Sequence, residues 1–168
     1  LLWKGGAYAF NASTTGQTPT SFSSRVPGGT DFTDTQIWLE QVTAGTGVQN
    51  VAVTYLDQGN VSSTTGTVAA PAAMIVGRCF QLPLAAGDTG VQGVTGVVGS
   101  VATAGTFNIL VVRPIWSGRV KIANDGDVHD YAKTGMPIIY ENSALMMLVA
   151  PDSTATGIPE LELVIANG

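Results

Sequence analysis

Arg78-Cys79-Phe80-Gln81-Leu82-Pro83-Leu84, a break at Ala86-Gly87-Asp88-Thr89-Gly90, then Val91-Gln92-Gly93-Val94-Thr95-Gly96-Val97-Val98: this stretch decides the fold. A second break at Ala102-Thr103-Ala104-Gly105 leads into Phe107-Asn108-Ile109-Leu110-Val111-Val112. Short β-branched runs bounded by Gly, Asp and Thr are the punctuation of strand, turn and strand. Asp88 is suited to close a turn on its own backbone, and Gly87 and Gly90 to supply positive φ. Only Asn108 interrupts the run 107–112, which therefore reads as a central strand covered on both faces.

Working outward, the chain keeps this rhythm. Residues 37–42 form the first strong strand signal upstream, with Trp38 and Glu40 on one face and Ile37 and Leu39 on the other. Residues 48–56 follow, placing Val51, Val53 and Tyr55 on one face. Residues 62–68 are polar enough for an edge strand or loop, and 74–84 read as the next strand. Beyond the central run, strands are expected at 119–122, 138–140, 145–149 and 161–165, with one helical turn near 128–132. No segment holds a helical period for three turns. About eight or nine strands at regular spacing point to an all-β, antiparallel β-sandwich with jelly-roll-like topology.

Residues 1–30 stand apart. Residues 11–30 are rich in Ser, Thr, Gly and Pro, too poor in apolar side chains for a core of their own. They read as an irregular N-terminal arm ahead of a sandwich over 31–168, held by neighbours through Trp3 and Phe10. The segments around Ala44-Gly45-Thr46-Gly47-Val48 and Ala86-Gly87-Asp88-Thr89-Gly90-Val91 echo one another, either as hairpins placed alike in two halves or as shared composition.

The 168 residues fit one domain with a sizeable core. Charged residues make up only 11%, well below the usual quarter, and hydrophobic ones 45%. So little charge suits a surface largely covered by partners, and defends a chain poorly against self-association. A net charge of −5 and no basic cluster argue against nucleic acid. The longest apolar run, 144–150, is too short to span a bilayer as a helix. The single Cys79 excludes an internal disulfide and reads as a buried structural thiol.

Chemistry is sparse. His129 is the only histidine, so no two-His metal site exists, and no Gly-x-Ser-x-Gly elbow accompanies it. The cluster Asn124-Asp125-Gly126-Asp127-Val128-His129-Asp130 is acidic enough to suggest calcium, yet lacks the twelve-residue loop with its terminal Glu. Asp57, Asp88 and Glu141 fall on turns and form no glycosidase pair. No catalytic, cofactor or metal residue is assigned. Trp3, Phe10, Trp38 and Trp116 are the interface candidates, as aromatic anchors are enriched in subunit contacts.

Leu1-Leu2-Trp3 beside a polar Thr/Ser-rich loop, Leu84-Ala85-Ala86-Gly87-Asp88-Thr89-Gly90-Val91 before a Val-rich strand, and Gly135-Met136-Pro137-Ile138-Ile139-Tyr140-Glu141-Asn142 together resemble structural proteins of tailed-phage virions. The resemblance implies a non-enzymatic, capsid-associated protein of the phage particle and leaves open head decoration, a fibre base or the tail; low charge, many Thr and Gly, one buried thiol and no active site then point to a capsid decoration or cement protein. Its implied partners are the major capsid protein or other virion proteins and further copies of itself, as a trimer or dimer, without nucleic acid or membrane. A carbohydrate-binding or host-attachment module of a tail or fibre is the alternative, with Trp38 or Trp116 as a sugar platform.

Overall fold

A computed structural model describes residues 1–15, 21–70, 75–99, 104–118, 126, 128–135, 138–140 and 142–149. In chain order the strands are β1 (Trp3–Ala9), β2 (Ser13–Thr15), β3 (Gln36–Thr43), β4 (Gln49–Asp57), β5 (Ser62–Thr64), β6 (Val68–Ala70), β7 (Cys79–Leu82), β8 (Val91–Gly99) and β9 (Thr106–Val112). One helical turn, α1 (Tyr131–Thr134), follows. The strands form two antiparallel sheets, β1-β9-β3-β7 and β2-β8-β4-β5, with β6 also on β4. The fold is an all-β sandwich.

The pairings are nested. β1 meets β9, β2 meets β8, β3 meets β7, and β4 meets β5, so the first half of the chain pairs with the second in reverse order. Placing β9 beside β3 and β8 beside β4 then joins these four ribbons into two sheets. The expected central strand is therefore central: β9 lies between β1 and β3, and every residue from Ile109 to Val112 is buried.

Alternation decides which faces meet. In β3 and β9, the pairs Ile37 with Val111 and Leu39 with Ile109 point inward, and Leu82 continues the row from β7. β4 buries every second residue, sending Val51, Val53 and Tyr55 in against Val94 and Val97 of β8. Two glycines permit the tightest backbone approaches. A side chain on Gly90 would strike the Phe32 carbonyl, and one on Gly99 the Phe10 carbonyl.

Several expectations need correction. Residues 1–30 are no arm: β1 and β2 belong to the two sheets, and Leu2, Tyr8, Phe10, Phe22 and Val26 are core residues. Phe10 stacks on Phe107 with ring centres 4.4 Å apart, and Phe22 meets Phe32 edge-on at 5.7 Å. Spaced apolar anchors suffice when a neighbouring strand completes the backbone pairing. The expected strands at 138–140 and 145–149 are irregular and largely exposed, because no partner strand takes up their hydrogen bonds among the described residues. The polar edge divides into β5 and β6, the strand at 74–84 shortens to β7, and the helical turn starts later, at α1. There Asp130 accepts hydrogen bonds from the Ala132 and Lys133 amides, each at 3.0 Å, as an N-cap does. The echoing glycine segments are not hairpins. Each carries the chain from one sheet to the other, between β3 and β4 and between β7 and β8. The expected strands at 119–122 and 161–165 lie outside the described residues.

Candidate interaction surface

Many ionisable side chains among the described residues are already engaged in holding the fold. On the outer face of β3, Glu40 meets the Lys4 ammonium at 2.7 Å and accepts from the Asn108 amide at 2.8 Å. These contacts hold its carboxyl below the usual range. Asn108, the polar break in the central strand, thus finds its partner across the sheet. Asp88 accepts a 2.6 Å hydrogen bond from the buried Tyr55 hydroxyl, which in turn accepts from the Ala85 amide at 2.8 Å. The Tyr55 and Ser63 hydroxyls lower the Asp88 pKa, while burial raises that of Tyr55. Asp57 closes its turn by accepting from the Gly59 and Val61 amides. Asp31 is held low by Thr33 and by Arg113, whose guanidinium lies 3.3 Å away.

Cys79 is only half buried, on edge strand β7 opposite Glu40, correcting the fully buried thiol expected from its sequence context. Its pKa is raised by burial and by the Glu40 charge, away from nucleophilic duty. His129 packs edge-on against Trp116 with ring centres 4.8 Å apart. Among the described residues, no three His, Cys, Asp or Glu side chains gather as metal ligands. The acidic cluster at 124–130 falls partly outside those residues.

The open feature is a groove of about 660 Å³. Its lining combines Gln36, Trp38 and Val112 of the β3–β9 outer face, Ile115 and Trp116 just after β9, and Ile138, Leu145, Met146 and Leu148 from the last described segment. Outward alternation in β3 puts Trp38 there, its indole N–H donating to the Gln36 side chain at 2.9 Å. The Leu1 nitrogen fastens the last segment by donating to the Ala144 carbonyl at 2.7 Å. Arg25 and Arg113 also border the groove, but Arg25 is bonded to the Leu2 carbonyl and Arg113 to Asp31. What faces outward is mainly apolar.

Of the four interface candidates, Trp38 and Trp116 come together on this groove. Trp3 instead packs, half buried, against the core, and Phe10 is wholly enclosed by it. Phe10 therefore has no surface to offer a partner, which corrects its reading as an anchor. The sequence reading missed the exposed side of 138–149; its apolar content and the turn read at Glu141-Asn142-Ser143 both suggested buried strands, and no local signal argued otherwise. No protein-family model, curated protein or solved structure matches this chain.

Proposed function

We propose that this chain is a non-enzymatic structural subunit of a phage particle, a decoration or cement protein that stabilises a capsid by contacts among copies and with the shell. The observation that carries the reading is the apolar groove joining Trp38 and Trp116 on a rigid sheet, a surface made for packing against protein. The nested strand pairing supports the finer topology of a jelly roll, an architecture used in viral capsid proteins and in lectins. Fold alone does not choose between those uses. The choice rests on the groove's lining: more of its surface is apolar than polar, and its arginines are tied within the chain rather than aimed at a ligand.

Particles purified from the source by density gradient test the proposal. The chain should co-sediment with intact heads in a fixed ratio to the shell protein, and heads lacking it should rupture at lower temperature. Absence from the particles would refute the assignment. Binding to a glycan array that is abolished by Trp38→Ala and Trp116→Ala would establish the host-attachment alternative, with those rings as its sugar platform.

A further inference from the structure

The described part of the chain ends in a run whose exposure contradicts its composition. Leu145 to Val149 are all at least a third exposed, Ile138 is 74% exposed and Val149 58%. Ile115 and Trp116 stand beside Ile138, Leu145, Met146 and Leu148 on the same groove, Trp116 41% exposed. Scaled by ordinary side-chain size, the exposed parts of the six that line the groove come to roughly 500–600 Å², at the upper end of the largest patch typical of a monomer. A standard specific interface takes about 800 Å² from each partner, so this patch supplies most of one side.

We propose that the patch is a self-association face, occupied by the same patch of a second copy across a two-fold axis. This deepens the structural-subunit reading by naming one of its contacts, and it rests on taking the groove as a protein-binding surface. Charge favours a second copy here. A chain of net charge −5 repels itself unless the meeting surfaces carry little charge, and the stretch 138–149 contains one charged residue, Glu141. The two arginines of the groove are already bonded within their own chain, so pairing does not leave them without partners. Symmetry follows from the distribution of apolar surface. Among the described residues Val48, Val61, Ile75, Val76 and Val128 are also exposed, but they sit outside regular strands and outside the groove and offer no second patch of matching size. A patch that must meet its own kind makes an isologous, closed pair.

Sedimentation equilibrium of the purified chain tests this, with two variants and a control. The wild-type chain should be dimeric at concentrations on the order of 10 µM, as standard-size interfaces commonly are. Ile138→Asp places an unpaired carboxylate on each side of a two-fold contact, and Met146→Asp does the same at a second point of the groove. Each should weaken dimerisation by about tenfold or more, since an unpaired charge buried in an apolar contact is costly. Both side chains are exposed, so the circular dichroism spectrum should not change, and the melting temperature should match the wild type's at dilutions where every chain is monomeric. Val61→Asp, exposed elsewhere, should dimerise as the wild type does. A wild-type chain monomeric at 100 µM, or dimers indifferent to both patch variants, would overturn the proposal. Monomers whose attachment to phage heads is lost in Ile138→Asp would show that the shell takes the patch, ending this inference while leaving the virion role intact. A patch-dependent dimer absent from particles would do the reverse.

Discussion

The two ends of the described chain exchange the roles their compositions suggest. Residues 1–30, polar and rich in turn formers, build β1 and β2 and place Leu2, Tyr8, Phe10, Phe22 and Val26 in the core. The described residues of 138–149, a far more apolar stretch, form no strand and leave Ile138 and Leu145–Val149 at the surface. Composition measures how much a segment would gain by burial. Whether it is buried depends on a partner able to take its backbone hydrogen bonds, and on spacing that presents its few apolar groups to one face. Strand β1 has β9 as that partner.

The sharpest break of this contrast is deletion of residues 1–30. It strips β9 and β8 of a neighbour each and removes five buried anchors, so the truncated chain should lose its cooperative thermal transition altogether. A truncated protein that melts normally would restore the arm and undo the comparison. Phe10→Ala should cost about 3–5 kcal/mol in urea titration, as loss of a large buried aromatic does. Leu110→Ala should cost roughly 2–5 kcal/mol. Leu110 is fully buried on the outer side of β9, between Lys4 and Trp38 across the ladders, so a neutral result would remove that outer face from the folded unit.

Smaller effects sharpen the picture. Glu40→Gln should cost roughly 0.2–1 kcal/mol at neutral pH, the range for a partly exposed ion pair. The Glu40 carboxyl is held below its ordinary value of 4.5. Its folded form therefore binds the proton less readily than the unfolded one, so its contribution is present above the unfolded pKa and fades as pH falls through the folded one. Urea midpoints from pH 7 down to pH 3 should fall less in Glu40→Gln than in the wild type; parallel curves would deny Glu40 that role. Least of all, Leu145→Ser and Met147→Ser should change monomer stability by only about 0.5 kcal/mol or less, as surface substitutions do. A cost like that of Phe10→Ala would mean the tail is core after all.

Much of the fold was legible in the sequence because alternation is a local signal. The inward set of β4, the central place of β9, the outward Trp38 beside Glu40 and the near absence of helix all follow from which residues stand two apart. The N-terminal strands were not legible. β1 carries Gly5-Gly6 and β2 is only three residues long, so neither shows a hydrophobic run, and their membership depends on long-range pairing with β9 and β8. The groove was half legible. Trp38 could be assigned outward by its neighbours, but the approach of Trp116 and residues 138–149 to it is tertiary and leaves no periodic trace.

Hydrogen exchange by mass spectrometry on dilute, monomeric protein tests the contrast between the two ends most directly. Peptides spanning 3–9 should be protected to nearly the level of β9, since the amides paired in the β1–β9 ladder open only with the sandwich, while peptides spanning 138–149 should exchange orders of magnitude faster. Rapid exchange throughout 3–9, with slow exchange across 138–149, would contradict the account and return each end to the role its composition suggests.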